Sequence, residues 1–171
     1  MKRVLPIIAL LLNTLLGFAI SDGDKEYARF EHFTTREGLS SNRVFSLAQD
    51  SSGFVWIATD FGLDRFDGIN FKHYQKRDYP KMKRNEIMYV EHFGNDQILA
   101  AGPYGVFIEY DKAKDDFASK MPAELDSIAF IQIKGIHTTT DGERFMFANG
   151  GIFRYDAETD QYDENCPQMF F

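Results

Sequence analysis

The sequence predicts an all-β fold: about three four-stranded antiparallel β-propeller blades of an incomplete ring, after an N-terminal signal peptide. Three observations predict it. The segments "FVWIATDFGLDRFDG", "DQILAAGPYGVFIEYDK" and "ERFMFANGGIFRYDAE" each run apolar strand, Gly-containing turn, apolar strand, aromatic-Asp. Their aromatic-Asp pairs, Phe66-Asp67, Tyr110-Asp111 and Tyr155-Asp156, stand 44 and 45 residues apart, which suits a blade of four short strands. No segment sustains an i, i+3, i+4, i+7 apolar stripe, and the 17 Phe and 8 Tyr favour strands.

The first 21 residues read as an export signal. Lys2 and Arg3 open it, Val4 to Leu16 is almost wholly apolar, and Ala19 and Ser21 are small at the −3 and −1 positions. Cleavage is expected after Ser21. The apolar run is short for an uncleaved anchor helix, and no Cys near Ser21 offers a lipid attachment point. The net charge is −7, and losing Lys2 and Arg3 takes it to about −9. That charge argues against non-specific binding to nucleic acid or anionic lipid. Cys166 is the only cysteine, so no internal disulfide forms and packing must hold the exported chain.

Blade one (43–80) can be assigned strand by strand. Strand a is Arg43 to Gln49, and Asp50-Ser51-Ser52-Gly53 turns it, with Gly53 free to take positive φ. Strand b is Phe54 to Thr59, and Asp60-Phe61-Gly62 turns it into strand c, Leu63 to Phe66. Asp67-Gly68 signals a two-residue turn into strand d, Asn70 to Gln75. Blade two (81–126) starts near Glu86 to Glu91, and blade three (127–171, partial) near Lys134 to Thr138. Between the signal and blade one lie residues 22–42. There "FEHF" (Phe30 to Phe33) parallels "FKHY" (Phe71 to Tyr74), so Arg29 to Phe33 reads as an orphan outer strand. Such a strand closes a ring with a later blade. Three blades leave two apolar end faces open, so further blades are expected in a longer or truncated ring.

At "GLSSNRVFSLAQDSSGFVWIATDFGLDRFDG" (Gly38 to Gly68) the chain resembles the two-component regulator propeller repeat. Gly-Leu-Ser-x-Asn-x-Val, Asp-x-x-Gly, Trp-Ile-Ala-Thr and Gly-Leu-x-Arg-Phe-Asp-Gly all stand in order. Blades two and three keep only the skeleton: Ile98 or Leu99, and Phe145 or Phe147, stand for Trp56. The resemblance implies an extracytoplasmic sensor region of a hybrid two-component regulator, often one that senses glycan breakdown products. It implies further blades, a downstream kinase region and a homodimer in the longer context. It assigns no kinase activity, and no enzyme activity, to these residues.

Trp56, mid-strand, is expected in the core between blades one and two rather than on a sugar. Asp50, Gly53 and Trp56 are similar to the Asp-box hairpin of sialidase propellers, itself a structural turn. Asp50-Ser51-Ser52 has too few oxygens in order for a Ca²⁺ loop. His32, His73, His92 and His137 lack metal spacing, and the first two share a strand-d position, which suggests a structural role. Asp115-Asp116 and Asp163-Glu164 are expected to be solvated turn carboxylates. No cofactor and no metal is expected.

Strand parity locates the candidate site. The d–a and b–c connections share one rim, and the a–b and c–d turns share the other. The first rim carries the candidate ligand-binding residues Asn42, Arg43, Asp60, Phe61, Tyr104 and Asn149, beside Ser41 and Pro103. Their mixture of rings and hydrogen-bonding groups suits an oligosaccharide. Two other functional classes stay open: a secreted propeller enzyme acting on polysaccharide (lyase or glycosidase), and a non-functional truncated sensor. The absence of a catalytic constellation disfavours the enzyme.

Overall fold

The structure is a computed structural model. It describes residues 30–93, 96–126, 130–149 and 151–163, and those from Phe33 onward form one compact unit. The expected signal peptide, Arg29, Gly94-Asn95 and Cys166 lie outside the described residues.

Blade one is β1 (Val44–Gln49), β2 (Val55–Thr59), β3 (Gly62–Phe66) and β4 (Phe71–Tyr74). Blade two is β5 (Tyr89–Phe93), β6 (Gln97–Gly102), β7 (Val106–Asp111) and β8 (Asp116–Ser119). Blade three is β9 (Ile133–Thr138), β10 (Arg144–Ala148), β11 (Gly151–Asp156) and β12 (Gln161–Asp163). Each blade is a separate antiparallel sheet in sequence order. Innermost strands neighbour one another, β1 touching β5 and β5 touching β9, as in blades set around a common axis. Helix includes a 3-10 turn at Pro80–Met82 and four residues at Ala123–Asp126.

The expected strands are present, with ends shifted by a residue or two in blade one; strand a of blade two begins at Tyr89 rather than Glu86. The link after β3 is longer than the Asp-Gly signal suggests. Asp67 Oδ1 accepts from Ile69 N and Asn70 N, which closes a four-residue connection over 67–70. Phe30 to Phe33 join no ladder, so the orphan strand stays an expectation. Phe33 instead packs on Phe66 and Phe71, with ring centroids 5.0 and 5.9 Å away.

Alternation sends each strand's residues to opposite blade faces. Trp56 and Ala58 of β2 face blade two and are fully buried with Val90, Ile98 and Ala100. Leu99 and Ala101 of β6 face blade three with Met146 and Phe153. This settles the correspondence left open above: Leu99, not Ile98, points as Trp56 does. In blade three, Phe145 pairs with Arg154 as Trp56 pairs with Arg65, so Phe145 holds that register.

The first turn explains itself at atomic level. Asp50 Oδ1 accepts from Ser52 N (2.9 Å) and Phe54 N (3.0 Å), and its Oδ2 accepts from Trp56 Nε1 (2.9 Å). Gly53 takes φ +89° in the same turn. One carboxylate therefore shapes the hairpin and satisfies the buried indole N–H, which would otherwise be costly to bury. The Asp-x-x-Gly-x-x-Trp spacing is a folding device.

Candidate functional site

The two rims are built as strand parity requires. On the first rim, each b–c turn is bonded to a d–a segment, the one that enters the next blade for blades one and two and the one that enters its own blade for blade three. Ile87 N donates to Thr59 O (2.9 Å), Gly105 N to Ile131 O (3.2 Å) and Asn149 N to Gln132 O (3.1 Å). Gly102 must be small here, because a Cβ would lie 2.3 Å from Glu86 O. On the opposite rim, Ser51 bonds Asp96 across the blades, and Lys112 Nζ reaches Asp96 (2.6 Å) and Ser52 Oγ (3.1 Å). The Lys112 and Ser51 hydrogen bonds hold the Asp96 carboxyl down to about 2.

The six candidate residues divide by what their side chains do. Asn42 Oδ1 accepts from Thr35 N (2.8 Å) and so fixes the segment before blade one. Asn149 Oδ1 accepts from Gln132 N (3.0 Å), and its Nδ2 donates to Phe130 O (3.1 Å). Both amides are engaged within the chain. Arg43 is exposed, with its guanidinium 4.9 Å from the centre of the Phe45 ring. Asp60 is half-buried in the turn that presents Phe61, whose ring is 55% exposed. Tyr104 is 43% exposed and held at φ +59°, a left-handed conformation that costs a non-glycine residue energy.

A second cluster lies on the face of blade one that points away from blade two. Asp64 of β3 is fully buried. It accepts from Ser40 N (2.7 Å) and from the Ser40 hydroxyl, and His73 Nδ1 lies 2.8 Å from its Oδ1. A Ser, a His and an Asp thus meet, but not as a nucleophile with its base. The Ser40 hydroxyl bonds the carboxylate directly, and Ser40 and Asp64 crowd the same imidazole nitrogen. The cluster pins residues 38–40 to the sheet. The structural reading of His73 fits this. His32 lies in no strand.

The Asp115-Asp116 pair is not simply solvated, which corrects the sequence reading. Asp115, at φ +50°, accepts from the hydroxyls of Tyr110 (2.7 Å) and Tyr74 (3.0 Å) and pairs with Lys72. Burial raises its carboxyl, but the Lys72, Tyr110 and Tyr74 bonds outweigh this and leave it below the ordinary value. The signal was present in the sequence: "YDKAKD" and "YDAETD" place Asp five residues after Tyr in both blades. Asp160 accepts from Tyr155 in the same way (2.7 Å). Among the described residues, no group of three or more His, Cys, Asp or Glu could hold a metal ion.

Comparison with known proteins agrees with this architecture. Residues 38–61 match the family described as "Two component regulator propeller". Over 73 residues, 43% of this chain and 5% of the relative, the sequence is 32% identical to histidine kinase P4 of Formosa agariphila. The fold is similar to the extracellular domain of a hybrid two-component system of B. thetaiotaomicron, with TM-score 0.65 and 24% identity over 78% of this chain and 20% of that one. It is also similar to the extracellular domain of a one-component system of the same organism, with TM-score 0.62 and 17% identity over 81% of this chain and 18% of that one. The chain therefore spans about a fifth or less of each of these three proteins.

Proposed function

We propose that this chain, which carries a two-component regulator propeller repeat, is part of the ligand-reading propeller of an extracytoplasmic sensor, with a glycan breakdown product as its ligand. The observation that carries the reading is the first rim. Phe61 and Tyr104 expose their rings there beside Asp60 and Arg43, whereas buried rings are the rule elsewhere in the blades. Arg43, Asp60, Phe61 and Tyr104 meet the sugar; Asn42 and Asn149 hold the backbone that presents them.

The away-facing side of blade one supports the wider assembly. It carries an apolar groove of about 380 Å³ lined by Phe33, Leu47, Val55, Ile57, Phe66 and Phe71. Another blade of the same ring is its occupant in this reading, since the matched extracellular domains are some five times longer than the matched stretch. A kinase region receives the signal across the membrane, and a homodimer forms in that context. The isolated chain then binds sugar weakly or not at all.

The test is glycan-induced transcription driven by the full-length sensor. Asp60→Ala and Tyr104→Ala should reduce the response with the protein still folded, since turn-tip side chains contribute little to the core. Asp141→Asn on the opposite rim should matter less. A response that survives every first-rim substitution rejects the site.

A further inference from the structure

We infer that the first rim contains a receptor for negative charge, formed by Arg84, Tyr104 and Phe130, and that the ligand is a sugar bearing a carboxylate or a sulfate. This rests on the glycan reading above and narrows it.

Three features meet here. The Arg84 guanidinium lies 4.3 Å from the centre of the Tyr104 ring. Arg84 is exposed and, among the described side chains, pairs with no carboxylate, although the chain has 26 acidic residues against 19 Lys and Arg. Its neighbour Lys83 does pair, with Asp126. Among the described side chains, the cation of this loop that faces the aromatic rim has no counter-ion. Beside it, the Phe130 ring is 73% exposed, its centre 6.4 Å from that of Tyr104.

These rings are held outward by the fold. Phe130 O accepts from Asn149 Nδ2, and Ile131 O accepts from Gly105 N, so the segment is tied to the b–c turns of blades two and three. Tyr104 is kept at a left-handed φ by its own turn. A guanidinium stacked on a ring leaves its in-plane N–H groups free, and their fork matches an oxyanion. An exposed ring offers its face to the C–H side of a sugar. The two needs are met together by one anionic sugar residue.

The whole chain is titrated with trigalacturonate, a sulfated galactose oligosaccharide and neutral galactotriose, read by saturation-transfer NMR, and with sodium sulfate, read by its competition against the charged sugars. One or both charged sugars should bind more tightly than galactotriose. Arg84→Ala should weaken the charged sugars about tenfold and leave galactotriose unchanged. Arg84→Lys should restore part of the loss, and Phe130→Ala should weaken charged and neutral sugars alike. Trp56 emission checks that each variant is folded. Equal binding of charged and neutral sugars, or no effect of Arg84→Ala, overturns the inference while the glycan reading stands. Binding of no sugar overturns the inference, and the glycan reading falls with it only if the full-length sensor also gives no glycan response. Sulfate that binds as tightly as the charged sugars shows a bare anion site and overturns the sugar class.

Discussion

The two blade junctions solve one packing problem with different residues. Between blades one and two, Trp56 stacks on Tyr74 and tilts against Tyr110, with centroids 5.5 and 4.7 Å apart. Arg65 from blade one lies 4.7 Å from the Phe54 centroid and 5.5 Å from the Trp56 centroid, and donates to Tyr110 Oη (2.9 Å). Between blades two and three, Leu99 stands where Trp56 stood and Glu109 where Arg65 stood. The cation now comes from the other side: Arg144 of blade three lies 4.5 Å from the Phe93 centroid and donates to Gln97 Oε1 (2.8 Å). A cation lies among aromatic rings at both interfaces, but a different side of the junction supplies it in each. The repeat can therefore erode in sequence while the junction persists.

The largest expected difference follows from the Trp56 site. Trp56→Ala removes the largest buried side chain and leaves Asp50 Oδ2 and Arg65 without that partner. It should cost about 3–5 kcal/mol in urea unfolding. Leu99→Ala at the second junction should cost about 2–3 kcal/mol, because a smaller cavity opens and no polar partner is stranded. Equal costs would mean that the aromatic cluster adds nothing beyond volume.

The acidic clamps give the next contrast. Asp115→Ala strands the hydroxyls of buried Tyr74 and Tyr110, so about 1–3 kcal/mol is expected. Burial and then the neighbouring Tyr110 hydroxyl push the Tyr74 phenol up, so it stays a donor well into alkaline solution. Among the described residues Asp160 clamps Tyr155 and Lys120, and it is largely exposed, so Asp160→Ala should cost less than about 1 kcal/mol.

Both junctions should also loosen in acid. Lys112 and Ser51 hold Asp96 down to about 2. The bonds from Lys72, Tyr110 and Tyr74, acting against burial, lower Asp115, and Lys120 and Tyr155 lower Asp160. Carboxyls depressed in the folded state stabilise fully above their ordinary 3.8, and that contribution is lost as pH falls from there toward about 2. Trp56 emission should report the first junction opening in this window. Asp115→Asn, which keeps one acceptor but cannot titrate, should flatten part of the change.

Much of this was legible beforehand. The 44- and 45-residue spacing and the Gly turns gave three blades, and the apolar run around Trp56 placed it between the first two. Strand parity gave the rims, because alternating strand direction leaves no other arrangement. The clamps were missed although Asp follows Tyr by five residues in two blades, because their cross-blade partners Tyr74, Lys72 and Lys120 stand 40 to 43 residues away, and a lone Asp in a turn looks solvated until such a partner reaches it. Ser40, Asp64 and His73 were missed for the same reason: three separate segments meet only when β3 pairs with β4 and residues 38–40 fold over them. Arg84 and Phe130 sit in connections with no repeat partner, so periodicity could not single them out.

The smallest effect is expected at the opposite rim. The Ser51 hydroxyl and N–H both reach Asp96, and Lys112 completes a bridge from blade one to blade two. This resembles the Asp115 clamp in outline, but it holds no buried hydroxyl; the buried His92 Nε2 lies 3.7 Å from Asp96 Oδ1 and makes no hydrogen bond to Ser51. Ser51 is exposed, Lys112 is largely so, and water can replace each bond that is lost. Ser51→Ala should therefore change urea stability by less than about 0.5 kcal/mol. It removes one of the two Ser51 bonds that depress Asp96, so the acid transition should begin at slightly higher pH than in the unmodified chain. A loss as large as that of Asp115→Ala would show that the outer bridge, and not the aromatic layer beneath it, holds the first junction together.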